Sequence, residues 1–239
     1  MTLILGELRK LLTIRTALWF ALASIALAAL NVLLVSLASG TLDEVAEKEE
    51  ALGGMPLLLL FFGAVAVTAE YRHRTAASAV LVSGRDPGIV AAARLGATVV
   101  VGLGLAVLTT GASFTLGVPI LASHQPGPDL TAAQLIPLAG GCVLAGTLTV
   151  LVGAALGGLL RNQIAAVVAG IVVYFVAPSL IGTISTSAVD YTPFGSLQVL
   201  TGGVHGSAHS LPASALALAG WAAAAAVLAV LAERHRDLG

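Results

Sequence analysis

Apolar residues run along this chain in long unbroken stretches with short polar breaks between them. A helix that crosses the hydrocarbon core of a bilayer needs about 20 mostly apolar residues. Six stretches reach that length, at about 17–38, 52–69, 87–120, 133–160, 164–184 and 213–232. Strand-built barrels instead carry segments of about ten residues with alternating hydrophobicity. These stretches are continuous and rich in alanine and leucine. Backbone polar groups in lipid must be bonded within the structure, and helices do this locally. The pattern predicts an all-α integral membrane protein, a six-transmembrane-helix bundle forming one domain over residues 1–239.

Residues 3–15 show a different pattern. At 100° per residue, Ile4, Leu5, Leu8, Leu11 and Leu12 fall on one arc, and Glu7, Arg9, Lys10 and Thr13 on the other. An amphipathic helix of this kind lies in the membrane interface, either as a plain anchor or as an elbow beside a partner. The first span ends in Ser36-Leu37-Ala38, which has the small-residue form of a signal cleavage site. Its apolar stretch is longer than the 7–15 residues of a signal peptide core, so an uncleaved helix is expected.

Charge orders the loops. Ten of the eleven basic residues fall on one side of the predicted spans: Arg9, Lys10, Arg15, Arg72, Arg74, Arg85, Arg94, Arg161, Arg234 and Arg236. The other side receives Lys48 alone, together with Asp43, Glu44, Glu47, Glu49, Glu50, Asp129 and Asp190. Basic loops stay cytoplasmic, so both termini are expected in the cytoplasm. The longest basic loop runs from Glu70 to Arg94. Glu70 and Arg74 have the i,i+4 spacing of a helical ion pair, Ser83-Gly84 breaks the helix, and Asp86-Pro87 reads as an N-cap followed by proline at the first helical position. A helix, a turn and a new helix are predicted, serving either as a connector or as a docking element for a cytoplasmic protein.

Composition sharpens the picture. Hydrophobic residues make up 58% of the chain and charged residues 10%, against roughly 25% charged in soluble domains. The net charge of −1 gives no reason to expect a nucleic-acid partner. Cys142, the only cysteine, lies inside an apolar run and cannot form an intramolecular disulfide. Neither lysine lies in a phosphate-loop pattern. Gly141, Ala145, Thr149, Gly153 and Gly157 repeat every four residues, a ladder that lets helices approach closely within the bundle or in a dimer. The loop from Ser185 to Pro212 contains an apolar piece, Phe194 to Leu200, that suits a re-entrant segment or a plain outer loop. His205 and His209 share i,i+4 spacing but have no third metal ligand beside them. No acidic or basic residue falls near the middle of a predicted span, where ion-coupled transporters keep such groups. The motifs of intramembrane hydrolases are also absent from the sequence. Energy for any transport would have to come from another chain.

Three stretches together resemble the permeases of ABC-2 type transporters, the membrane subunits of prokaryotic ABC exporters. They are GELRKLLTIRTALWF at the start, EYRHRTAASAVLVSGRDPGIVAAARLGA after the second span, and Trp221 through AERHRDLG at the end. The resemblance implies an ABC-2 (type V) exporter-like fold with an N-terminal interfacial helix. It also implies a dimer with an identical or different permease, two copies of a cytoplasmic P-loop ATPase, and a bacterial plasma-membrane location. The chain itself would bind no cofactor, and ATP and Mg would sit on the ATPase. The segment from Tyr71 to Arg85 would couple to that ATPase. Glu7, Arg9, Lys10, Glu70, Arg72 and Arg74 would lie at the same interface. Phe61, Phe62, Tyr174 and Phe175 would line a substrate path between the second and fifth spans. The short outer loops fit a small exporter of drugs, antibiotics, peptides or lipid-like molecules. Two other classes remain in view: an accessory or immunity membrane protein that moves nothing, and an ion-coupled secondary transporter.

Overall fold

The computed structural model describes residues 2–13, 15–38, 40–53, 56–72, 75–203 and 210–235. Arg74, His205, His209 and Arg236 lie outside the described residues. All regular elements among those described are helical, and six stretches are long and apolar enough to cross a membrane. The interfacial helix α1 (Thr2–Thr13) is followed by the first span, α2 (Arg15–Ala38). The short helix α3 (Val45–Gly53) precedes α4 (Leu57–Arg72), and together they make the second crossing. α5 (Thr75–Ser83) leads into α6 (Pro87–His124) and α7 (Ala132–Leu160), the third and fourth spans. The fifth span is broken into α8 (Gln163–Ile171), a π-helical turn (Val172–Val176) and α9 (Ala177–Ile184). Two short helices, α10 (Thr186–Val189) and α11 (Pro193–Leu200), precede the last span, α12 (Leu211–His235).

Several boundaries differ from the sequence expectation. The acidic segment after the first span is not all loop, because Val45–Gly53 forms a helix that buries Ala51 and Leu52. The second candidate crossing therefore takes in α3 as well, starting at Val45, and α4 begins at Leu57 rather than near residue 52. The π turn has an identifiable cause. Pro178 has no N–H, and its ring would press on the carbonyl four residues earlier, that of Tyr174. The backbone widens there, and the Ala177 N–H reaches back five residues to Val172 O. The Ser179 hydroxyl donates to Phe175 O at 2.7 Å and satisfies another carbonyl of the disturbed stretch.

The small-residue ladder is the seam on which the bundle is built. Gly153 lies directly against Leu60 O and Gly157 against Ala64 O, while Gly63 of α4 returns the contact onto Val150 O of α7. A Cβ at any of these positions would meet backbone. The ladder thus works inside one chain, joining α4 to α7. At the end of the ladder away from Gly157, Gly141 abuts Leu200 O and seats α11. That helix is capped by Thr192, whose Oγ1 accepts from Gly195 N at 3.1 Å, and it buries Leu197 and Leu200 among Leu60, Ala145, Tyr174 and Leu218. The apolar piece Phe194–Leu200 is therefore a packed helix rather than an irregular loop. Outward-facing leucines on α2, α6 and α12, such as Leu22, Leu34, Leu103, Leu108 and Leu228, stay exposed, as lipid-facing positions should.

Candidate functional site

At one end of the bundle, charged side chains from five helices meet. Glu7 and Lys10 come from α1, Glu70 and Tyr71 from the last turns of α4, Arg94 from the second turn of α6, Arg161 from the end of α7, and Glu233 from the end of α12. Lys10 Nζ lies 2.8 Å from Glu7 Oε1 and 2.8 Å from Glu70 Oε1. Arg94 Nη2 pairs with the other oxygen of Glu70 at 2.7 Å. Arg94 Nη1 donates to the Tyr71 hydroxyl at 3.4 Å, and that hydroxyl donates to Glu233 Oε2 at 2.9 Å. The same oxygen of Glu233 accepts Arg161 Nη2 at 2.9 Å. Both guanidiniums also flank the Tyr71 ring, with Arg94 Cζ 5.6 Å and Arg161 Cζ 5.2 Å from its centroid.

Three carboxylates thus face three cations. Balance matters here because Arg94 is only 4% exposed and Glu233 only 3%. A buried charge is tolerated when paired and costs several kcal/mol when its partner is removed. Tyr71 is the hub, since it links the Glu70–Arg94 pair to the Arg161–Glu233 pair. Burial pushes the Glu7 carboxyl above its ordinary value, against the pull of the hydrogen bond from Lys10. Burial works against the Lys10 ammonium as well, but its hydrogen bonds to Glu7 and Glu70 prevail and hold its pKa above the ordinary value.

Local sequence positions each member. Arg161 ends α7 in the left-handed conformation at φ 50°, with its N–H on Gly157 O. That turn directs the chain into Asn162, which caps α8 by accepting from Ala165 N at 3.1 Å. Gly84, at φ 60°, makes the turn after α5. Asp86 then caps α6, accepting from Gly88 N at 2.8 Å, with Pro87 at the first position. Arg234 lies across this start, its Nε 3.3 Å from Asp86 Oδ1. The short helix α5 and its turn are therefore held at both ends by groups tied to the spans. They also present Leu81 and Val82 outward, at 80% and 89% exposed, with Arg85 beside them.

The expected interface residues divide into two groups. The structure brings Glu7, Lys10, Glu70 and Tyr71 into one network. Arg9, Arg72 and Arg85 are exposed around it. Glu70 pairs with Lys10 and Arg94, partners distant in sequence. Glu7, placed by periodicity on the wet arc, is buried. In the sequence Arg94 and Arg161 read only as basic loop charges, and Glu233 only as part of the closing AERHRDLG stretch. The signal for them was position: each sits within a turn or two of an apolar run, where an ionic group needs a partner. Of the aromatic residues assigned to a path, Phe62 and Tyr174 are buried within the protomer. Phe61 and Phe175 pack against the cluster that contains Tyr174, and Phe62 meets Phe20 edge-on at 5.6 Å. None of the four lines the cavity of about 660 Å³ between α2, α3, α4 and α6 at the opposite end of the bundle.

At the opposite end, Lys48 is not a free surface charge. It is 1% exposed and donates to Gly127 O and Pro128 O at 3.3 and 3.2 Å. Gln125 bridges the same region, accepting from Leu42 N at 2.8 Å and donating to Ser36 O at 2.7 Å. Among the described residues no group of three potential metal ligands gathers.

These features define a class, an all-helical multi-pass membrane protein with an ionic lattice at one end and a short exposed helix beside it. No family model matches the chain, and a comparison with curated proteins found no match.

Proposed function

We propose that the chain is the membrane-spanning permease subunit of an ATP-driven ABC exporter of the ABC-2 type, moving a small hydrophobic or amphipathic substrate. It works without catalysis of its own, in the bacterial plasma membrane with both termini cytoplasmic. One observation carries this reading. Helix α5 starts with Thr75, whose Oγ1 donates to Glu70 O at 3.2 Å; the Glu70 carboxylate belongs to the lattice that reaches α1, α6, α7 and α12, and after the turn that follows α5 Asp86 pairs separately with Arg234 of α12. A force applied to α5 by a cytoplasmic protein would reach most of the bundle through groups that are already paired. Leu81 and Val82 give such a protein an apolar hold, and Arg72 and Arg85 a basic rim. The partners under this reading are two copies of a P-loop ATPase, which hold ATP and Mg, and a second permease, identical or not.

The test is gentle detergent purification from the native host, with mass spectrometry of what accompanies the chain. A near-stoichiometric P-loop ATPase is the expected result. Replacing Leu81 and Val82 with Asp and Arg85 with Glu should strip the ATPase away while leaving membrane insertion unchanged. Recovery of the chain alone, even after crosslinking, would overturn the proposal in favour of an accessory membrane protein.

A further inference from the structure

Two outward faces meet where α1 turns into α2, and each carries one arginine among exposed apolar residues. On α1, Leu5, Arg9 and Leu12 follow at i, i+4 and i+7 and are all exposed, Leu12 to 69%. On α2, Arg15, Leu18, Trp19 and Leu22 follow at i, i+3, i+4 and i+7 and are exposed too, Trp19 to 65%. Such spacings put residues on one face of a helix. The inner faces of both helices share one core. Leu8 and Leu11 of α1 and Ala17, Phe20 and Ala21 of α2 pack against the cluster of Leu59, Phe62 and Val101. That core fixes the elbow to the bundle and leaves the two arginine-bearing faces turned outward.

Neither arginine has a counter-ion. Among the described residues Arg9 and Arg15 make no ion pair, because the acidic groups of this end are committed elsewhere. Glu7 and Glu70 hold Lys10 and Arg94, Glu233 holds Arg161, and Asp86 holds Arg234. Outside the described residues the sequence adds Arg74 and Arg236 against Asp237, so this end keeps a surplus of positive charge wherever those three lie. An arginine on a lipid-facing stripe lays its methylene stem along apolar surface and lifts its guanidinium to the headgroup level. Trp19, one turn from Arg15, is of the residue type enriched at that level. A phosphate there supplies the missing charge, and a guanidinium can hold it through two hydrogen bonds. A zwitterionic lipid brings its own cation to the same place, so the surplus favours a lipid of net negative charge.

We infer that the elbow between α1 and α2 binds an anionic phospholipid, its phosphate at Arg9 and Arg15 and its acyl chains along Leu12, Leu18 and Leu22. This gives Arg9 the bilayer as its partner in place of the ATPase interface that the sequence resemblance implies. The inference needs no ATPase and no transport. Binding is measured on the isolated chain, so its failure leaves the permease reading intact, and the absence of an ATPase leaves the lipid site intact.

The experiment is native mass spectrometry of the delipidated full chain in detergent, titrated with phosphatidylglycerol or with phosphatidylcholine of the same acyl chains. Saturable binding of phosphatidylglycerol, and much weaker binding of phosphatidylcholine, is expected. Arg9→Gln with Arg15→Gln should weaken phosphatidylglycerol binding about 30-fold, from about fivefold for each basic residue beside an anionic surface. Both side chains are exposed, and an unchanged melting temperature will show that the variant is folded. Arg72→Gln removes another exposed charge of the same end, one turn from the buried Thr68 rather than on a lipid-facing stripe, and should leave lipid binding unchanged. Equal retention of the two lipids, full binding by the double glutamine variant, or an equal loss in Arg72→Gln would overturn the inference. So would displacement of the lipid by an excess of inorganic phosphate, which would mark a site for a soluble anion.

Discussion

Tyr71 makes the sharpest test at the scale of single residues. Its ring lies between two guanidiniums, and its hydroxyl both accepts from Arg94 and donates to Glu233. Tyr71→Phe keeps the ring contacts and removes one of the two hydrogen bonds to Glu233 Oε2, leaving that of Arg161, so a loss of about 1.5–3 kcal/mol is expected for a hydrogen bond to a charged group. Tyr71→Ala also removes the cation–π contacts, each worth about 0.5–2 kcal/mol, and should destabilise further. Glu70→Ala leaves Arg94 buried without its counter-ion, and a loss of about 3–5 kcal/mol is expected. Thermal melting in a fixed detergent should rank the variants Phe, then Tyr71→Ala and Glu70→Ala together. An unchanged melting temperature in Glu70→Ala would mean that the lattice contributes nothing to holding the helices together. Little of this lattice was legible in the sequence. Periodicity placed Glu7 on the wet side of α1, and loop charge alone placed Arg94 and Arg161. Their pairing depends on where helix ends converge, a property of tertiary packing that spacing along one helix cannot carry.

Elements were far more legible. A run of about 20 apolar residues has one stable form in lipid, and Gly84, Asp86 and Pro87 each impose a local geometry, so the spans and the break before α6 could be read directly. What escaped was α3, whose charged sequence reads as loop until its buried Ala51 and Leu52 are seen against the bundle. The π turn escaped as well, because proline in a transmembrane helix admits several backbone solutions. The ladder on α7 was visible, but its partner was not, and the structure pairs it with α4 inside the chain. Gly153→Ala should therefore cost about 1–3 kcal/mol by forcing Cβ onto the Leu60 carbonyl. Gly104→Ala on α6 has nothing within 4 Å and should be neutral or slightly stabilising. Equal melting temperatures for the two variants would refute the seam.

For the whole molecule, the structure gathers the paired basic residues at one end and the acidic segment with Lys48 at the other. Their assignment to cytoplasm and exterior rests on the basic bias of the loops. A single cysteine at Glu44, which is exposed, in a Cys142→Ser background should react with an impermeant thiol reagent on intact cells. One at Arg85 should react only after the cells are opened. The reverse pattern would invert the orientation. Lys48 is unsuitable for this experiment because its side chain is buried.

α6 carries Arg94 in the ionic lattice and Ser113 in the cavity wall on one helix, with no proline between them. The two positions are about 28 Å apart along its axis at 1.5 Å per residue. If this rod shifts between two positions, the ends are thermodynamically linked. Any factor by which a protein docked on α5 changes the affinity of a ligand held at the far end of this helix is the factor by which that ligand changes the protein's affinity. A ligand titration that alters the strength of docking would then measure, from one side of the membrane, the state of the other.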